Sequence, residues 1–266
     1  MKHYPTAPFH GLRADADPGF DLHARARIFL PRMPPRAFYV GRTAAALHGL
    51  PLPPRYSAET HLHVGVMAGE RRVDPLGVIP HHFRIDRTDI VVRAGLPVTS
   101  VCRTWCDLAA SGLRLDELVA AGDRIIWRRS PTGTLDELRR AVSRYDGRRG
   151  VRSMRAAMGL LSDRSDSAPE SELRVAILLA GFPQPLVNVD ARVGGRVVHP
   201  DLSWPDRRVA IEYEGDHHRT DRGQWHRDIR RDGSYAEGGW SLYRATSEDY
   251  RDPHELLLWL ARRLTR

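Results

Sequence analysis

Three carboxylates in the last third of the chain stand where they could share a metal ion. Asp201 lies in HPDLSWP, and Glu212 and Glu214 lie in AIEYEG. Residues two apart on a strand project to the same side. Glu212 and Glu214 therefore face together if residues 207–215 (RRVAIEYEG) form a strand, and pairing with the preceding strand brings in Asp201. Carboxylates gathered this way repel each other unless a cation neutralises them. Val209, Ala210, Ile211 and Tyr213 mark the strand as buried, where an uncompensated charge is costly. A hard cation such as Mg²⁺ (or Mn²⁺), taking carboxylate and water ligands, answers both demands. Such an ion polarises a phosphate and lowers the pKa of a bound water. Glu170, on the helix before, is a fourth candidate; it equally reads as the end of a capping box begun by Ser167. Asp201 also reads as a turn residue before Ser-Trp-Pro. His218, with His217 beside it, could give or take a proton.

The elements that must position these residues follow from the pattern around them. A helix is expected from about Pro169 to Ala180, stopped by Gly181. PLVNVDARV and GRVVHPDLSW read as two strands joined at Gly194-Gly195. Strand 207–215, a charged helix from Asp221 to about Tyr235, strand 240–246 and an amphipathic helix 253–264 complete the order α-β-β-β-α-β-α. SDRSDSAP (162–169) is polar, small and Pro-containing, and it sets the boundary between residues 1–165 and 166–266. Before it, the N-terminal region reads as α+β. One clear helix covers Thr43 to Leu50, strands are expected at 61–66, 77–85 and 89–95, and helices follow at 101–111, 115–127 and 134–145. Residues 148–161 read as one more helix or a linker.

Composition narrows the class. The 266 residues, 41% hydrophobic and 28% charged, are those of a globular chain of about two domains. No apolar run approaches the roughly 20 residues that span a bilayer, and residues 1–20 lack an apolar signal core, so no membrane contact and a cytoplasmic location are expected. Cys102 and Cys106 lie four apart on one expected helix, with no second pair to complete a zinc site; they read as buried small apolar residues. The charge is +8, and it is uneven: from Ser167 onward there are 15 basic and 16 acidic residues, leaving 26 and 17 before it. The basic excess is densest from Arg139 to Arg155. Arg139, Arg140, Arg148, Arg149 and Arg152 are candidates for contact with DNA phosphates, and equally for a solvated helix surface. Lys2 is the only lysine in the chain.

Together, Glu170, Pro185, Asn188, Asp201, Glu212, Glu214, His218, Arg227, Asp228, Arg231, Trp240 and Arg244 resemble the spaced pattern of a bacterial family related to very-short-patch-repair endonucleases. That family lies within the PD-(D/E)XK restriction-endonuclease-like superfamily. The resemblance spans about Ser167 to Tyr250. It implies a restriction-endonuclease-like mixed sheet flanked by helices, with Mg²⁺-dependent cleavage of DNA. Asp201, Glu212 and Glu214 would be metal ligands, Glu170 would order a metal-bound water, and Arg227 and Arg231 would meet phosphate or brace the acidic strand. Where the superfamily has E-x-K, this chain has Glu212-Tyr213-Glu214, and the resemblance gives the lysine's role to His218.

GRTAAALHGLPLP (41–53) and LPVTSVCRTWCDLA (96–109) resemble AbiEi-type antitoxin regulators, through Thr43, Ala44, His48, Gly49, Thr99, Arg103, Thr104, Asp107 and Leu108. This implies a DNA-binding regulator module and a toxin-like protein partner. The sequence thus predicts a metal-dependent endonuclease-like unit fused to a regulator-like region. The alternative is a non-catalytic DNA-binding regulator whose nuclease fold is a scaffold.

Overall fold

The computed structural model describes residues 6–9, 12–14, 21–69, 76–147, 149–215 and 233–264. The chain is mixed α/β. A short hairpin, β1 (Thr6–Phe9) and β2 (Leu12–Ala14), precedes α1 (Leu22–Phe29). A five-stranded mixed sheet then forms in the order β5-β4-β3-β7-β6. Its strands are β3 (Phe38–Tyr39), β4 (Leu62–Met67), β5 (Val78–Phe83), β6 (Ile90–Arg93) and β7 (Leu96–Thr99). The helix α2 (Gly41–His48) and α1 pack on one face through Ala26, Phe29, Ala44 and Leu47 against Leu62, Val64 and Val98. Gly49 closes α2 at φ +69°, a conformation that costs glycine little.

Four helices follow: α3 (Val101–Ala110), α4 (Leu115–Ile126), α5 (Leu135–Arg144) and α6 (Val151–Met158). They bury a second core around Trp105, Leu108, Leu118 and Leu138. Cys102 and Cys106 are free thiols inside it, and burial pushes their pKa values up. A capping box between Thr134 and Glu137 starts α5.

The C-terminal part begins with α7 (Ala168–Leu179), capped by Ser167. A four-stranded sheet has the order β13-β12-β11-β8, with β8 (Leu186–Val187), β11 (Leu202–Trp204), β12 (Val209–Tyr213) and β13 (Ser241–Ala245). β8, β11 and β12 are antiparallel neighbours, and β13 runs parallel to β12. Helices α8 (Ser247–Arg251) and α9 (His254–Leu264) close the chain.

Several expectations need correction. The two long strands around Gly194-Gly195 are each broken. The turn is there, but it joins β9 (Ala191–Val193) to β10 (Arg196–Val198) in a separate two-stranded sheet. Asn188, at φ +47°, turns the chain between β8 and β9. Helix α1 and strands β3 and β7 were not anticipated. Of the two readings of residues 148–161, the helix is the one present, at Val151–Met158. Most of the expected helix 221–235 lies outside the described residues; residues 233–237 are helical.

The expected boundary is a loop over 162–167, with 168 and 169 already in α7, and the parts it separates are joined tightly by that helix. Leu173 and Ile177 enter the core of the C-terminal sheet, whereas Val175 enters the core of the four-helix unit. Arg174 and Asp123 of α4 form an ion pair at 2.7 Å with side chains 1% and 2% exposed. Asp123 also accepts from the Ser171 hydroxyl and the Ser162 N–H, and Arg174 donates to the Leu160 carbonyl.

Candidate functional site

Asp201 ends the segment leading into β11, and the register Leu202 opposite Ile211 carries it beside Glu212. Alternation along β12 sends Ile211 and Leu202 to the apolar core against α7 and α9. Ala210 and Glu212 face the other way, toward Tyr235. Asp201 Oδ2 accepts the Tyr213 N–H at 2.6 Å, so its carboxylate lies on the backbone between the two glutamates. Glu212 is 2% exposed, and its Oε1 accepts the Tyr235 hydroxyl at 2.9 Å. A carboxylate this deep needs such donors, since its hydration has been removed.

Glu214 behaves differently. It lies one residue past the end of β12, is exposed, and pairs with Arg244. Arg244 sits opposite Glu212 in the parallel β12–β13 register. One guanidinium therefore supplies positive charge at the acidic end of the sheet, where the sequence demanded a cation.

Glu170 is buried and holds the loops together. Its oxygens accept from the Ser167 hydroxyl (2.8 Å), the Asp166 N–H (3.0 Å) and the Asn188 side-chain amide (2.8 Å). Asn188 in turn donates its backbone N–H to the Asp201 carbonyl at 2.9 Å. Glu170 thus reaches Asp201 through Asn188. Sequence reasoning gave Asn188, Tyr235 and Arg244 no place in the site. Asn188 and Arg244 carried the family resemblance, which was the available signal. Tyr235 had none beyond the rule that a buried carboxylate requires a donor.

Among the described residues, no three His, Cys, Asp or Glu side chains converge as a metal-ligand group. Asp201 and Glu212 come together; Glu214 is drawn to Arg244. His217, His218, Arg227 and Arg231 lie outside the described residues, and so does Arg148. Of the other arginines expected to meet DNA, Arg139, Arg140, Arg149 and Arg152 are all exposed, and Arg139 pairs with Asp136 at 2.7 Å.

Apart from Gly49, which is exposed, the residues that carried the N-terminal resemblance are buried. Thr43 accepts the His63 N–H, His48 Nε2 donates to the Thr99 carbonyl, and the Thr99 and Thr104 hydroxyls bond each other. Arg103 pairs with Asp107 at 3.0 Å, both buried, and burial still raises the Asp107 pKa to about 6.

The chain is similar to uncharacterised proteins from two strains of Mycobacterium tuberculosis, each 29% identical over 227 residues, covering 84% of this chain and 80% of the relative. No family model and no solved structure matches it. Among the described residues, no helix is long and apolar enough to cross a membrane.

Proposed function

We propose that the C-terminal unit is a divalent-metal-dependent DNA phosphodiesterase of restriction-endonuclease-like architecture, joined to a regulator-like N-terminal region that binds DNA through its arginines. The observation that carries the reading is the Asp201–Glu212 pair. Two carboxylates on adjacent strands share one face of the sheet, one of them fixed by a backbone N–H and the other buried under a tyrosine hydroxyl. The element order, a helix, antiparallel strands and then a parallel strand, supports the architecture.

Their donor chemistry, hard carboxylate oxygens, fits Mg²⁺ or Mn²⁺. Asp201 and Glu212 would hold the ion, which supplies polarisation of the phosphate and an activated water. Glu214 would join them only by leaving Arg244. Asn188, tied to Glu170, fixes the backbone at Asp201. Tyr235 fixes the orientation of Glu212. Arg244 adds charge that attracts a phosphate, as would Arg227 and Arg231. His218 would carry the proton to the leaving oxygen, in place of the lysine that the superfamily uses.

The second reading is a non-catalytic DNA-binding regulator. It is favoured by the protein donors that already engage Asp201, Glu212 and Glu214. A plasmid-nicking assay with Mg²⁺ and with Mn²⁺ decides between the two. Cleavage by the wild type, reduced at least ~100-fold in Asp201→Asn and in Glu212→Gln, is expected if these groups hold the ion. No cleavage with either metal, alongside salt-dependent DNA affinity, would leave the regulator.

A further inference from the structure

Between the four-helix unit and the five-stranded sheet lies an open pocket of about 510 Å³, of whose lining only Arg140 figures in the DNA-binding reading. It lies between β6 and α5, with the first turn of α3 forming part of its wall, and its size is that of a small-ligand site. Three arginines line it: Arg93, Arg140 and Arg144. Arg93 is anchored by its Nε to the Leu47 carbonyl, and Arg144 reaches Asp89. Arg140 is exposed and has no ion-pair partner among the described residues. The acidic residues in the wall are committed: Asp89 to Arg144, and Glu137 to the Thr134 N–H and hydroxyl at the start of α5. The start of α3 adds the positive end of a ten-residue helix.

Two polar atoms in the same wall are buried without a hydrogen-bond partner, His48 Nδ1 and Thr132 Oγ1. His48 is only 4% exposed. Its Nε2 faces a carbonyl, which can only accept, so Nε2 carries the proton and Nδ1 offers a lone pair. Burial and the nearby Arg93 both hold the ring in this neutral form. Buried polar atoms of this kind are uncommon and ask for an occupant. The arginines and the helix end ask for an anion. His48 asks for a hydroxyl or amide donor, and Thr132 takes either role. Val91 and Val92 supply an apolar side.

We propose that this cavity binds a phosphorylated sugar, free or as part of a nucleotide, with phosphate toward Arg140 and Arg144 and hydroxyls toward His48 and Thr132. The site is separate from the Asp201–Glu212 pair. Its test uses neither DNA nor metal, so it stands or falls apart from the nuclease reading.

The experiment is titration calorimetry of the full chain at low salt with ribose 5-phosphate, AMP and inorganic phosphate. Both sugar phosphates are expected to bind more tightly than inorganic phosphate; binding of AMP alone would assign the site to nucleotides. Arg140→Gln, at an exposed position and with its fold checked by circular dichroism, is expected to weaken binding about tenfold, as loss of one charge-assisted contact does. Thr132→Val is expected to weaken the sugar phosphates and to spare inorganic phosphate. No binding of either sugar phosphate overturns the proposal. So does affinity unchanged in both variants, or inorganic phosphate binding as well as the sugars.

Discussion

The Asp123–Arg174 pair and the Asp201–Glu212 pair are both polar couples inside the protein, and they are built on opposite plans. At Asp123 every contact is internal: a guanidinium, a hydroxyl and a backbone N–H surround the carboxylate and join two helices. At Asp201 and Glu212 two like charges stand side by side at the end of a sheet, held by a backbone N–H and a tyrosine hydroxyl, with Arg244 bound to the neighbouring Glu214. The first couple is complementary and completes the fold. The second is repulsive, and a sheet would not gather it for stability alone. Depth of burial does not tell a structural polar group from a functional one; the sign of what surrounds it does.

The sharpest way to break this contrast is to cut the first couple. Arg174→Ala leaves Asp123 buried and uncompensated, and should cost about 3–5 kcal/mol in urea denaturation. Glu212→Gln keeps an acceptor for Tyr235 and removes a repelling charge, so its melting temperature should stay close to wild type. Similar losses from both substitutions would erase the distinction.

A smaller effect tests a third polar group, in the N-terminal sheet. His63 is buried on β4, beside Arg42 and Glu59 and against His81, whose ring nitrogen is 2.9 Å from its Nδ1. Burial first, and then Arg42 and His81, push its pKa down to about 4. The unfolded chain takes up this proton near pH 6.5 and the folded chain only near 4, so stability should be full above 6.5 and fall as the pH drops toward 4. The expected loss is roughly 3 kcal/mol, about 1.4 kcal/mol for each pH unit between the two pKa values. His63→Gln should flatten that part of the profile; an unchanged profile would place the titration elsewhere.

The smallest effect concerns the surface. Arg139→Gln removes an exposed ion pair and should shift stability by less than about 0.5 kcal/mol. If Arg139 meets a DNA phosphate, the salt dependence of binding should fall by about one unit of slope. An unaltered slope would make it part of a solvated helix face.

How far the sequence spoke depended on how local the cause was. Val209 to Tyr213, the helix ended by Gly181 and the Gly194-Gly195 turn were all legible, because period, caps and turn residues act within a few positions. The break at Asn188 was not, since a positive φ there is imposed by bonds to Glu170, Arg164 and Asp201. Strand β7 hides in LPVT, whose Pro97 argues against a strand until the pairing with β6 is known. At the site, strand alternation put Glu212 and Glu214 on one side. It could not say that the strand ends at Tyr213, leaving one glutamate buried and the other free to meet Arg244. In the N-terminal motif spacing alone was legible; that His48 meets Thr99, Thr99 meets Thr104 and Arg103 meets Asp107 is a fact of folding back.

Helix α7 carries a consequence for how such a chain could be divided or recombined. Its two faces belong to different cores, and Arg174 is the bolt between them. A cut at the polar loop before it takes Leu173 and Ile177 with the sheet and strips Asp123 of its partner. A cut after it keeps the helical unit whole and uncovers the sheet. No junction yields two finished modules. A gene fusion that borrowed either half would have to borrow this helix as well, although the sequence between the two parts looks like a hinge.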